Sequence, residues 1–131
     1  MDIGETLELK YAVGASDLAK ALSLDPQDDF PEVFATSRMV ALMELAAARL
    51  MKPLLSTGEL SVGVNVNVNH LAATPIDVEI RAVATFLGME GKLFKFGVAL
   101  FDPAGEAGNG THTRAIVKTE RLVLGAAKRA H

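Results

Sequence analysis

The chain has 131 residues, enough for one ordinary domain and too few for two. Half of the residues are hydrophobic and 22% are charged, so a packed core is within reach and general disorder is not expected. A formal net charge of −3 argues against broad binding to nucleic acid, and the absence of cysteine excludes disulfides, thiolate metal sites and a cysteine nucleophile.

The opening residues Met1–Glu8 lack the basic start and apolar run of a secretory signal. No apolar stretch approaches the roughly 20 residues needed to span a bilayer. The expectation is a cytoplasmic protein without a membrane partner. In chain order, Thr6–Val13 alternates Leu7, Leu9, Tyr11 and Val13 with polar or small residues and is expected as a first strand. A short helix is expected over Ser16–Leu22, with Ser16 as its cap. Ser23–Pro31 holds Pro26 and Pro31 with Asp25, Asp28 and Asp29 and reads as an irregular loop; it lacks the glycine and distal glutamate of a calcium loop.

Thr36–Met51 carries a helical pattern, with Thr36 or Ser37 as cap and Pro53 as stop. Strands are then expected over Ser61–His70, Ile76–Leu87, Lys92–Phe101 and Ala107–Leu122, joined largely by tight turns. In the first of these, Val62, Val64, Val66 and Val68 fall on one face and Asn65, Asn67 and Asn69 on the other. Residues 123–131 are expected as a basic, frayed tail to a single domain. One very apolar helix followed by an antiparallel meander gives an α+β layout in which a sheet wraps a central helix. Such a sheet leaves an open edge and an incompletely covered helix, so a homodimer is expected, with a dimer of dimers as an open further step.

Four residues stand out chemically. Advancing about 100° per residue puts Arg38, Arg49 and Lys52 on one solvated stripe and Glu44 roughly 120° from Arg38, off that stripe. A carboxylate there is expected to be buried, which would raise its pKa towards the range of a general base or acid; an interface glutamate satisfied by an amide or arginine is the equal alternative. His70 closes the strongest strand pattern beside the break at Pro75, where it could reach a cleft or simply pack. His112 and His131 give no metal-binding spacing with it, and no metal is expected. Arg114 shares a face with His112, where it could hold a phosphate or carboxylate or pair with an acid; Lys118 is a second candidate for phosphate contact. No phosphate-binding glycine loop, dinucleotide fingerprint or Gly-x-Ser-x-Gly elbow occurs.

Three segments together resemble one family. Phe30-Pro-Glu-Val-Phe34-Ala-Thr36-Ser-Arg-Met-Val-Ala-Leu-Met-Glu44 is similar to the central-helix signature of the fluoroacetyl-CoA thioesterase family of hotdog enzymes. Val66-Asn-Val-Asn-His70-Leu-Ala-Ala-Thr74-Pro75 resembles its second motif, and Gly110-Thr-His112-Thr-Arg114-Ala115 its third. The resemblance runs in register from about Phe30 to Glu120 and implies a hotdog fold and hydrolysis of an acyl-CoA thioester, with no cofactor beyond the coenzyme A of the substrate. It implies Thr36, Glu44 and His70 as catalytic residues. Thr36 would hold the thioester carbonyl or its oxyanion at the helix start. Glu44 would drive water onto the carbonyl or attack it directly, and His70 would orient Glu44 or help the thiolate leave. Phe30, Phe34 and Gly63 would lie near the acyl group. Where the fluoroacetyl-selective member has aromatic residues in a lid, this chain keeps Phe30 but has Gln27 three residues earlier, in a polar loop. A short or medium acyl chain other than the fluorinated one is therefore expected. A non-catalytic acyl-CoA binding module and a hotdog enoyl or 3-hydroxyacyl thioester hydratase-dehydratase are the rival readings, with a metal-dependent hydrolase behind both.

Overall fold

The computed structural model describes all 131 residues. Strand β1 (Thr6–Ala12) precedes helix α1 (Thr36–Met51), followed by β2 (Glu59–His70), β3 (Glu79–Glu90), β4 (Leu93–Asp102), β5 (Gly105–Lys118) and helix α2 (Thr119–Arg129). The five strands form one antiparallel sheet in the order β1-β3-β4-β5-β2, so β1 and β2 are its two edges. No helix is long and apolar enough to cross a membrane.

Helix α1 lies in the concave face of this sheet. Its residues are mostly strong helix formers, and it ends where Pro53 enters a short 3-10 turn, Lys52–Leu54. The buried face of Met39, Leu42, Met43, Ala46, Ala47 and Met51 packs on Ile80, Ala82, Ala84 and Phe86 of β3 and Phe96, Val98 and Leu100 of β4. Alanines on both sides bring backbones close, while methionine and phenylalanine fill what remains. Each large apolar side chain in this layer contributes about 1.5–3 kcal/mol of burial.

Several boundaries differ from the sequence pattern. Ser16–Leu22 is not one helix but two 3-10 turns, Ala15–Asp17 and Ala19–Leu22, separated by Leu18, which bridges to Phe34; Gly14, not Ser16, caps the first. Strand β3 begins at Glu79 and bulges at Leu87, between Phe86 and Gly88, before the tight turn at Gly91. The last strand stops at Lys118, and the expected frayed tail is instead largely helix α2, all of it solvent-facing.

The four valines of β2 do not share one face. A bulge between Gly63 and Asn65 leaves Val64 with no residue opposite it on β5. Before the bulge Ser61 and Gly63 face α1 and its neighbours, and after it Val68 and His70 do. The extra residue switches parity, and Val64 and Val66 are left 54% and 38% exposed.

Candidate active site

The site begins where the chain enters α1. Residues 33–35 are clamped from two sides. Ala19 N–H donates to the Val33 carbonyl, Phe34 N–H to the Thr74 carbonyl at 2.8 Å, and Ala35 N–H to the Asp17 carbonyl at 2.8 Å. The Asp17 side chain is fully buried and accepts from Tyr11 Oη at 2.6 Å, Gly14 N–H at 2.8 Å and Arg38 Nε at 2.8 Å. Burial by itself would raise this carboxyl, but those donors and the Arg38 charge outweigh it and hold Asp17 below the usual carboxylate range. Arg38 keeps 40% of its side chain exposed, as expected of the solvated stripe, and also ties the first turn of α1 to the turn after β1.

This clamp sets Thr36 beside His70. Thr36 is the first helical residue rather than the cap: Ala35 holds the cap position, and no side chain caps the helix. The threonine hydroxyl is instead 2.8 Å from His70 Nδ1. The uncapped amides of this turn keep their positive potential. Phe34, 1% exposed, meets the His70 ring edge-on, with centroids 6.4 Å apart at 83°. Burial pushes His70 below its ordinary pKa, opposed in part by the Ala72 backbone, and Nε2 has no partner within the protein. A cleft of about 390 Å³ opens here, lined by Thr36, His70, Phe34, Leu71, Ala72 and Ala73 among others.

A second cluster lies further along α1. Glu44 Oε1 accepts from Arg114 Nη1 at 3.3 Å and sits 3.9 Å from His112 Nε2. Gly63 leaves it room: a Cβ at that position would fall inside the contact shell of Glu44 Oε1 and 3.2 Å from His112 Cε1. Arg114 is 7% exposed, and its guanidinium also donates from Nε to Ser61 Oγ and from Nη2 to the Ser61 carbonyl, both at 3.0 Å.

The sequence-expected residues thus divide. Thr36, His70 and Phe34 come together, and Glu44, Gly63 and Arg114 come together. The eight-residue step from Thr36 to Glu44 separates the two groups by about 12 Å along the helix axis. Glu44 is not buried within the chain; 38% of its side chain is exposed, because its flank of α1 faces past the edge strand β2. Of the uses left open for Arg114, pairing with an acid is the one seen, the acid being Glu44, and its other donors go to Ser61 and His112. Lys118 pairs with Glu59 at 3.6 Å. Phe30 is 47% exposed and does not line the cleft. Two residues were missed. His112 entered the sequence reading only as a poor metal ligand, although its shared face with Arg114 was visible. Asp17 gave no signal, because nothing in a short loop pattern marks a buried acid.

Comparison with known proteins agrees with this geometry. The family described as fluoroacetyl-CoA-specific thioesterase matches residues 13–120. The fluoroacetyl-CoA thioesterase of Streptantibioticus cattleyicolor is 43% identical over 124 residues, covering 93% of this chain and 89% of that protein. A mutant of the fluoroacetyl-CoA thioesterase FlK solved in complex with acetyl-CoA superposes with a TM-score of 0.94 at 34% identity, over the whole of both chains. A thioesterase-superfamily protein of Thermus thermophilus, 23% identical, matches in fold with a TM-score of 0.87 over 98% of this chain and 93% of its own. The chain belongs to the fluoroacetyl-CoA-specific thioesterase family, a family of thioester hydrolases built on the hotdog fold.

Proposed function

We propose that this protein hydrolyses a short or medium acyl-CoA thioester to free acid and coenzyme A, and that two copies complete each active site. The observation that carries the reading is the split between Thr36–His70, in contact at 2.8 Å, and Glu44, two helical turns away and open towards the β2 edge. One chain presents the electrophilic and proton-handling half; the other half lies where only a neighbour can use it.

The β2 edge supplies the means. Its outer row of backbone groups is unpaired, and Leu60, Val64 and Val66 are exposed along it. Antiparallel pairing of two β2 strands about a twofold axis between Val66 and Asn67 brings His70 of one copy towards Gly63 of the other, because both stand equally far from that axis. Glu44 lies under Gly63, so the same pairing carries it towards Thr36 across the interface.

In that arrangement Thr36 and the free amides of its turn polarise the thioester carbonyl and hold the oxyanion. Glu44 either removes a proton from water as the water oxygen attacks the carbonyl carbon, or attacks as a carboxylate to give an anhydride that water then cleaves. The C–S bond breaks, and the departing thiolate takes its proton from His70, which recovers one that the consumed water gave up to Glu44. Small apolar residues along the cleft suit a short or medium acyl chain. Acyl-CoA is a substrate of the cell interior, so we place the protein in the cytoplasm.

The experiment mixes Glu44→Gln protein with His70→Ala protein under conditions that exchange subunits. Each homodimer lacks one half of both sites, but a mixed dimer holds one intact site, so hydrolysis of acetyl-CoA recovers to about a quarter of wild type. No recovery in dimers shown to have exchanged would place all three groups in one chain and overturn the shared site. Full activity of Glu44→Gln alone would overturn the assignment of Glu44.

A further inference from the structure

We infer that His112 is a positioning residue for Glu44, acting through Arg114 as a fixed hydrogen-bond acceptor. The inference rests on the proposed role of Glu44 and concerns what holds its carboxylate in place.

His112 is 1% exposed, and each ring nitrogen has one partner whose chemistry leaves no choice of role. Nδ1 lies 2.7 Å from the carbonyl of Asn65. A carbonyl only accepts, so Nδ1 carries the proton. Nε2 lies 3.1 Å from Arg114 Nη1, and a guanidinium only donates, so Nε2 presents its lone pair. The ring is held as the neutral Nδ1–H tautomer by its neighbours.

That lone pair completes the fixing of Arg114. Nε and Nη2 are held by Ser61, leaving Nη1 to be shared between His112 and Glu44. With one Nη1 hydrogen committed to His112, the other is directed at Glu44 Oε1. Without an acceptor at the Nε2 position, the buried guanidinium has an orphan donor, and its cheapest remedy is to rotate towards another oxygen, Glu44 included. The carboxylate would then be gripped differently rather than released.

The bulge in β2 ties these parts together. Gly63, on one side of it, gives Glu44 its space, and Asn65, on the other, gives His112 its carbonyl. Moving the bulge by one residue would lose both. Bulges re-aim groups beside active sites in this manner.

Two substitutions separate this role from simple packing. His112→Gln places an amide oxygen near the Nε2 position, where it can accept from Arg114. His112→Asn reaches only the Nδ1 position, where it can donate to Asn65 but leaves Arg114 without its acceptor. We expect His112→Asn to lower kcat for acetyl-CoA at least about tenfold with KM within about threefold, and His112→Gln to recover most of that turnover. The opposite order, or equal activity of both with wild type, overturns the inference. Glu44→Gln assayed beside them separates the two claims: if it keeps full turnover, the reading of Glu44 fails, whereas a dead Glu44→Gln with a fully active His112→Asn sinks only His112. A measurement on the wild-type protein needs no variant to fold. The ¹⁵N spectrum of the His112 ring at pH 7 should show Nδ1 protonated and Nε2 unprotonated and hydrogen-bonded; an Nε2–H tautomer or an imidazolium would contradict the inference.

Discussion

Gly63→Ala is the sharpest perturbation this site offers, because it adds one methyl group at a place where the nearest atoms belong to Glu44 and His112. Gly63 does not have the positive φ that would favour glycine, so the substitution brings no left-handed backbone strain of its own. The new Cβ would overlap Glu44 Oε1, so the carboxylate must retreat by about 1 Å to reach ordinary contact. Glu44 is the free end of a flexible, partly exposed side chain and can make that move cheaply, at about 1 kcal/mol of stability or less. Its 3.3 Å contact with Arg114 does not survive the shift unchanged. A displacement of this size at a reacting group lowers turnover by about a hundredfold. The expected signature is therefore a large fall in kcat, a KM close to wild type, and a melting temperature lowered by only a few degrees. Thiol release from acetyl-CoA at saturating substrate, read beside thermal unfolding, measures both. Turnover within about threefold of wild type, in a variant whose Glu44 has demonstrably moved, would refute the claim that the position of this carboxylate matters to the reaction.

Three other outcomes are expected. Asp17→Asn should cost about 2–3 kcal/mol of stability, since it weakens a buried carboxylate bound by three donors while Arg38, partly exposed, recovers water; urea unfolding measures it, and a loss below about 0.5 kcal/mol would show that the clamp at the start of α1 is not held by that charge. Acid should destabilise the fold in two stages. His70 and His112 are both held below their ordinary 6.5 by burial, so the unfolded chain binds more protons than the native one as pH falls past that value, and stability present above it is lost on the way down through the folded-state values. Asp17, depressed from 3.8, adds a loss of the same sign in stronger acid. A melting temperature that does not fall between pH 7 and 5 would contradict the burial of the two histidines. Light scattering at micromolar concentration should return twice the 13.9 kDa chain mass, and an active monomer would remove the basis for a shared site.

The fold was legible where the pattern was long and local. The helix Thr36–Met51 shows its apolar periodicity and its proline stop, and the closing strands show alternation between recognisable turns. What failed was short or decided by tertiary context. Ser16 looks like a cap, yet two 3-10 turns form because Leu18 is drawn into a bridge with Phe34 and Asp17 is pulled inward by Tyr11 and Arg38. Ile116 and Val117 lead the eye to continue a strand to Leu122, but Glu120, Arg121, Leu122 and the alanines beyond favour a helix once the sheet ends. Threonine at the start of α1 was read as a cap because caps are the common use of that residue; His70 takes its hydroxyl instead.

The site was legible in its residue types and not in its grouping. Motif order named Thr36, Glu44 and His70, but helical spacing alone already sets Thr36 and Glu44 about 12 Å apart, a separation that matters only when a partner is considered. The unbroken Val-x-Val run of β2 hides a bulge that inverts which residues face the helix. Gly63, an interior strand glycine, was the available sign of it. His112 and Arg114 stood on one strand face in the sequence, but the link from Asn65 through both to Glu44 depends on that bulge and could not be read before the strands were paired.

The most direct measurement is thiol release from a panel of acyl-CoA thioesters, from acetyl to medium chain lengths, with wild type beside Glu44→Gln. Hydrolysis of a short or medium member by wild type, abolished in a folded Glu44→Gln, is the expected result, and the ranking of the panel names the acyl group. A panel left uncleaved by wild type, or cleaved equally by both proteins, would contradict it.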